Sequence, residues 1–307
     1  MIIYSTCLNS LSLPPMLHKS GFVNIIGKPN VGKSTLLNAL MGQDLSVVTP
    51  KAQTTRHRIK AILNGDDYQI VFSDTPGIMK PAYKLHERML HAVDETLTDA
   101  DLVLYVTELK DRTISEDLLF KLQGLLVPLY VLINKVDTGN QEEVMEAVEH
   151  WKKVLNPAIV LPISALHKFQ VELLQEKIVS VLPEGPAYFD KDEDISDRNV
   201  RFFVTEIIRG RILQQFQKEI PYSVEVFVEE YKETPDIDRI RVIIYCARES
   251  QKGILLGKGG AAMKKLGTDS RKLIEEFISK KVYIEFTVKV ADDWRDNDKM
   301  LKRFGYE

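Results

Sequence analysis

Cysteine is nearly absent. The 307-residue chain has two, Cys7 and Cys246, too few for a disulfide framework, which points to a reducing compartment, the cytoplasm. No apolar run reaches the roughly 18 residues that span a bilayer, which argues against an integral membrane protein. Residues 1–17 contain no Lys, Arg, Asp or Glu. A secretory signal needs a positive n-region and a transit peptide needs arginines, so this stretch is expected to be a disordered extension, with Met16 a candidate native start. His57, His86 and His91 have no cysteines at ligand spacing, so no zinc site is expected. Neither sign of charge dominates: 41 Lys and Arg oppose 44 Asp and Glu, a net charge of −3. The balance hides an asymmetry, because residues 201–307 hold 21 basic against 18 acidic side chains while residues 1–200 hold 20 against 26. The basic half is the better candidate for meeting a polyanion.

What is present is enough for two domains. Apolar residues make up 44% and charged residues 28%, an ordinary globular balance that excludes a disordered or collagen-like chain. Over residues 18–183, apolar strands alternate with helical stretches, the pattern of a parallel sheet with crossover helices. Strands are expected at 22–26, 69–72, 102–106, 129–133 and 159–162. Residues 58–63 and 67–72 flank Asn64-Gly65, a dipeptide favoured in two-residue hairpin turns, so one antiparallel strand is expected on the sheet. Residues 184–200, rich in proline and acid and without periodicity, read as an acidic linker that permits motion. Residues 201–307 read as a small α+β domain: helix, two strands, a short helix, a Gly-rich turn, a helix to 278, a strand at 282–290 and a last helix near 296–304. No internal repeat is present.

Gly27-Lys28-Pro29-Asn30-Val31-Gly32-Lys33-Ser34 fits G-x-x-x-x-G-K-[ST], which chance produces in on the order of 1% of chains this long. A strand before it and a helix after it, closed by Gly42, supply the required context. Glycines let backbone N–H groups turn inward around phosphates, and the helix N-terminus adds its positive dipole end. Lys33 is expected to meet the β- and γ-phosphates, and the Ser34 hydroxyl to ligate Mg²⁺. Asp74-Thr75-Pro76-Gly77 is worthless as a bare D-x-x-G, which occurs about once per chain by chance. Its position at a strand end gives it weight: Asp74 can reach Mg²⁺, and Gly77 can offer its N–H to a γ-phosphate. Asn134-Lys135-Val136-Asp137 follows another apolar run. The Asp137 carboxylate can accept from both N1–H and the N2 amine of guanine, and adenine has neither donor. Asn134 is expected to brace the loops and the Lys135 stem to cover the base. Ser164-Ala165-Leu166 can give a backbone N–H to guanine O6.

These four motifs, in this order, resemble a translation-factor-type GTPase domain. Thr49-Pro50-Lys51-Ala52-Gln53-Thr54-Thr55-Arg56-His57-Arg58 narrows the likeness to the Era family, bacterial ribosome-assembly GTPases, over nearly the whole chain after residue 17. The resemblance implies an α/β P-loop GTPase domain followed by an α+β type II KH domain, with GTP or GDP and Mg²⁺ bound. It implies a nucleotide site that takes in Gly27, Asn30 to Thr35, Asp74 to Gly77, Asn134, Lys135, Asp137 and Ser164 to Leu166. Within that site Lys33, Thr55 and Gly77 are implied to be catalytic and Ser34, Thr55 and Asp74 to hold the metal, with Thr54 the near alternative to Thr55. The position where many such enzymes carry a water-orienting Gln holds Ile78, which cannot hydrogen-bond. The resemblance therefore implies that backbone groups and a cation take that role, with Asn30 helping to bind K⁺. The γ-phosphate is expected to order residues 52–58 and 77–88.

Gly257-Lys258-Gly259-Gly260 is numerically feeble as a G-x-x-G. It lies between two helices with Lys264 and Lys265 close by, and in KH domains such a loop clamps the backbone of about four nucleotides. The Era likeness implies binding of 16S ribosomal RNA, action in assembly of the 30S subunit, a monomer and a cytoplasmic location. Two other readings are a small-molecule kinase using ATP, which has no use for the Asn134–Asp137 motif, and a signalling GTPase on the cytoplasmic face of the inner membrane, its basic domain against anionic lipid. The double-domain relative Der is disfavoured, because a single Gly-Lys-Ser loop occurs.

Overall fold

The computed structural model describes residues 18–51, 53–191 and 195–306. The expected extension at 1–17 and the candidate start at Met16 lie outside them.

In the first domain β1 (Lys19–Gly27), α1 (Lys33–Met41), β2 (Ile59–Asn64), β3 (Tyr68–Asp74), α2 (Lys84–Thr98) and β4 (Leu102–Glu108) come first. Then follow α3 (Glu116–Gln123), β5 (Leu129–Asn134), α4 (Gln141–Leu155), β6 (Ile159–Pro162) and α5 (Val171–Val181). Strand order is β2-β3-β1-β4-β5-β6, with only β2 antiparallel to its neighbour. The central strands are buried on both sides and so carry continuous apolar runs rather than alternation. Leu36, Leu37, Leu174 and Ile178 pack α1 and α5 on one sheet face. Val93, Leu118 and Trp151 pack α2, α3 and α4 on the other. The carboxyl ends of β1, β3, β5 and β6 thus meet along one rim, where the chain's progress across the sheet changes direction and ligands bind in such folds.

Two expectations need correction. The two-residue turn at Asn64-Gly65 is not formed: Asn64 pairs with Gln69, so residues 65–67 make the connection, closed by the Gly65 N–H on the Tyr68 carbonyl at 2.9 Å. Asn64 stays in the strand because its side chain accepts from Gln69 Nε2 at 2.8 Å and donates to the Lys191 carbonyl at 3.0 Å. Nor is the acidic segment after α5 a free tether. Gln69 Oε1 accepts from the Tyr188 and Phe189 N–H groups, the Ile62 N–H donates to the Ile195 carbonyl at 3.0 Å, and Arg198 donates to the Arg58 carbonyl at 2.7 Å. The segment covers the open edge of β2, which would otherwise present unpaired backbone groups.

The second domain contains α6 (Val200–Gln215), a one-turn α7 (Ile220–Ser223), β7 (Val224–Lys232), β8 (Asp238–Cys246), α8 (Glu249–Leu256), α9 (Ala261–Ile278), β9 (Val282–Val290) and α10 (Asp298–Arg303). Apart from the added turn α7, this is the expected order. β8 lies between antiparallel β7 and parallel β9, and α6 and α9 cover one face through Val204, Ile208, Leu266 and Ile274. The opposite face carries Ile243 and Tyr245, which join Trp294, Leu301 and Phe304 of the C-terminal segment against Leu85 and Met89 of α2. The two domains therefore share a core.

Candidate functional site

A cleft of about 490 Å³ opens at the rim of the first sheet, lined by Asn30, Gly32 to Thr35, Thr55, Gly77, Asn134, Lys135, Asp137, Ser164 and Leu166 among others. The expected residues Gly27, Val31, Asp74, Pro76 and Ala165 stand behind that lining rather than on it. The loop from β1 to α1 folds as it does because of its glycines. Gly32 has φ 97° and a Cβ there would sit 2.3 Å from Asn134 Nδ2, so no larger residue fits. Gly77 meets the same loop from the other side, where a Cβ would come within 2.8 Å of Pro29 Cα.

At the floor of the cleft, Ser34 Oγ donates to Asp74 Oδ2 at 2.7 Å, Thr55 Oγ1 donates to the same oxygen at 3.2 Å, and the two hydroxyls are 2.9 Å apart. Asp74 is fully buried and its Oδ1 has no hydrogen-bond partner. Burial pushes this carboxyl up from its ordinary pKa, against the pull of Lys33 and the hydroxyls. Two hydroxyls and an unsatisfied buried carboxylate make a hard oxygen set that suits Mg²⁺, which takes few protein ligands and keeps waters or phosphates for the rest. The geometry also separates the two threonines: Thr54 Oγ1 is occupied by Thr49 Oγ1 at 2.8 Å and the Lys51 carbonyl at 2.7 Å. Only Thr55 reaches the acidic floor.

Lys33 Nζ is held between the Gly27 and Lys28 carbonyls at 3.0 and 2.9 Å. Burial lowers its pKa to about 8, with Asp74 pulling it back up. An arriving phosphate favours the charged form and pulls this pKa back up.

At the opposite end, Asn134 is 3% exposed and ties three loops together. Its Nδ2 donates to the Val31 carbonyl at 2.8 Å, and its Oδ1 accepts from the Lys135 and Ala165 N–H groups at 2.8 and 2.9 Å. The Ala165 N–H is thereby spent, so Leu166, whose N–H has no bond among the described residues, is the free donor of the three-residue motif. Ser164 contributes a side chain that its sequence motif did not reveal: its Oγ donates to Asp137 Oδ1 at 2.5 Å. Lys135, in the left-handed region at φ 62°, sends its ammonium to Glu108 Oε2 at 2.5 Å, which draws the stem along the cleft wall. Glu108 and the Ser164 hydroxyl had no local signal, since each acts 27 residues away in sequence. Asn30, also left-handed, donates to the Pro50 carbonyl at 3.0 Å. Ile78 packs at the rim of the core.

In the second domain Gly257, Gly259 and Gly260 all have positive φ, and a Cβ on Gly257 would strike Ala262 at 2.7 Å. Lys258, Lys264 and Lys265 are exposed around this loop. Ile254 and Leu256 are exposed beside it, while Leu255 between them is buried. Small backbone, free cations and apolar flanks on one surface suit an approaching sugar-phosphate chain. Among the described residues, no helix is long and apolar enough to cross a membrane.

Comparison with known proteins matches both halves. The family described as 50S ribosome-binding GTPase matches residues 22–135, and the KH domain family matches residues 219–295. The chain is 42% identical to GTPase Era of Clostridium kluyveri over 94% of its length and 99% of the relative's. It is 45% identical to GTPase Era of Caldanaerobacter subterraneus over 95% and 99%. Among solved structures, Era in complex with MgGDPNP and nucleotides 1506–1542 of 16S ribosomal RNA superposes with a TM-score of 0.89 at 34% identity, covering 94% of this chain and 99% of that one. An Aquifex aeolicus Era variant bound to GDP and AlF4⁻ superposes equally, at 35% identity over the same shares.

Proposed function

The chain belongs to the Era family of GTPases, and on that premise we propose that it is a cytoplasmic, monomeric switch that grips 16S ribosomal RNA during small-subunit assembly. It binds GTP and hydrolyses it to GDP and phosphate. Residues 18–183 form the GTPase domain, 184–200 the connector and 201–307 the KH domain that takes the RNA. The observation that carries the reading is the joint placement of Ser34, Thr55 and Asp74 beneath a cleft whose far end holds Asp137.

Asp137, fixed by Ser164, accepts from guanine N1–H and N2, and the Leu166 N–H donates to O6. A purine without those donors leaves the carboxylate unpaired. The Lys135 stem covers one face of the base, held outward by Glu108. Lys33 and the loop amides absorb charge that builds on the β–γ bridge, and the Gly77 N–H meets the γ-phosphate. Ser34, Thr55 and Asp74 are the residues that hold Mg²⁺, which when bound neutralises charge on the β- and γ-phosphate oxygens. Ile78 offers the attacking water no hydrogen bond, so its orientation falls to backbone carbonyl and N–H groups. Asn30, with its amide oxygen unbonded among the described residues, is the candidate K⁺ ligand beside the phosphates. Hydrolysis is expected to be slow and faster in K⁺ than in Na⁺, and equal rates in the two salts remove the K⁺ role.

In the second domain the Gly257–Gly260 loop, with Lys258, Lys264 and Lys265, receives the RNA backbone. The test compares binding of a 16S 3′-end fragment and of anionic vesicles at equal salt, with GDP or a GTP analogue bound. RNA binding that depends on nucleotide and falls on Lys258→Glu supports the reading. Vesicle binding without RNA binding refutes it in favour of a membrane role, and displacement of GDP by ATP removes the guanine assignment.

A further inference from the structure

Residues 53–56, which carry Thr55 at the acidic floor, are bonded to the KH domain on both sides of that threonine. Arg209 of α6 donates from Nη1 to the Gln53 carbonyl at 3.2 Å and from Nη2 to the Thr54 carbonyl. Glu206, one helical turn earlier, accepts from Arg209 Nε at 2.9 Å and from Nη2, which locks the fork in place. On the far side of Thr55, Arg56 leaves its own domain. Its guanidinium donates to the Val224 carbonyl at 2.8 Å, the Pro221 carbonyl at 3.2 Å and Glu225 Oε2 at 3.0 Å. Glu225 is itself held by the Tyr306 hydroxyl at 2.9 Å. Both arginines are 1% exposed. Lys51 adds a bond to the Phe216 carbonyl at the end of α6. By contrast, among the described residues the hydrogen bonds of the Thr55 side chain within the first domain are those with Ser34 and Asp74.

We propose that Arg209 and Glu225 of the KH domain are positioning residues for GTP hydrolysis: by fixing the backbone on either side of Thr55, they hold its hydroxyl at the metal position beside Ser34 and Asp74. The catalytic site is then incomplete without the second domain, although every residue that lines the cleft belongs to the first. A guanidinium fork on two consecutive carbonyls sets a backbone direction that a single ammonium cannot. The inference rests on the reading of Thr55 as a metal ligand, and Thr55→Ala is therefore the benchmark.

The experiment uses the full chain and measures affinity for GDP and for a non-hydrolysable GTP analogue across a Mg²⁺ titration, together with kcat and KM. Thr55 serves only the triphosphate state, so a positioning role predicts a split that a general loss of packing does not produce. Arg209→Lys, which keeps the charge opposite Glu206, and Glu225→Gln should leave GDP affinity within about twofold. They should raise the Mg²⁺ needed with the GTP analogue about tenfold, the worth of one charge-assisted hydrogen bond. kcat should fall toward the Thr55→Ala value with KM little changed. A folded Arg209→Lys protein with unaltered Mg²⁺ dependence, or with both nucleotides weakened equally, overturns the proposal. Tighter binding of the analogue also overturns it, because the KH contacts would then be holding Thr55 away. Should Thr55→Ala itself leave the Mg²⁺ dependence unchanged, the assignment of Thr55 fails and the proposal falls with it. If Arg209→Lys does not fold, the milder Lys51→Met reads the same split, and its absence there counts against the proposal.

Discussion

Truncating Asn134 to alanine removes a side chain whose oxygen and nitrogen are both bonded to protein groups, and it should cripple nucleotide binding. The side chain makes three hydrogen bonds of 2.8, 2.8 and 2.9 Å, to the phosphate loop, to its own turn and to the loop carrying Ala165. At about 1 kcal/mol net for each such bond, the loss is about 3 kcal/mol. Two of the freed groups, on Val31 and Ala165, are buried behind the cleft lining, so part of this loss lowers the stability of the nucleotide-free protein. The rest appears when nucleotide forces the loops together again, and about 3 kcal/mol sets its ceiling at about 100-fold weaker binding. Because the effect is on loop placement, GDP and GTP should weaken by the same factor. Asn134→Asp keeps both acceptor bonds, loses the donor and sets a carboxylate against the Val31 carbonyl, and should fall between wild type and Asn134→Ala. Titration calorimetry with GDP, alongside denaturant unfolding, measures both quantities. An Asn134→Ala protein with wild-type GDP affinity and wild-type stability would refute the reasoning.

Ser164→Ala, which frees Asp137 to swing, should weaken guanine nucleotides about tenfold without lowering the melting temperature, read by GDP titration and thermal unfolding. Gly77→Ala puts a Cβ 2.8 Å from Pro29, and should lower kcat at least about tenfold while sparing GDP affinity. Single-turnover hydrolysis checks the former and equilibrium titration the latter. His57 stacks on Tyr306 at 4.2 Å; burial lowers its pKa to about 4, with Glu206 opposing and Arg209, Arg198 and Arg56 reinforcing. Its folded-state pKa lies below the unfolded value, so its contribution is present above about pH 6.5 and lost as pH falls toward about 4. The stability of wild type relative to His57→Phe should drop by at most about 2 kcal/mol between about pH 7.5 and about pH 5, measured by urea unfolding at each pH. A flat difference refutes it.

Much of this molecule is written locally. The phosphate loop, the strand-end Asp74, the Asn134–Asp137 turn and the order of elements around Gly257–Gly260 are each encoded within a few residues. Backbone N–H direction, strand alternation and helix starts are all short-range properties, so sequence by itself determined the fold class of both domains, the nucleotide cleft and the choice of guanine. Tertiary structure decided everything that joins distant segments. It chose Thr55 over Thr54 by placing one hydroxyl, and not its neighbour, within 3.2 Å of Asp74. It turned an acidic linker into cover for the edge of β2, and it set Ser164 on Asp137 and Glu108 on Lys135. Most of all, it brought Arg209 to the Thr54 carbonyl across a separation of 155 residues. A hydrogen bond between residues so far apart imposes no period and no spacing on the chain, so nothing along the sequence could reveal it before the two domains packed.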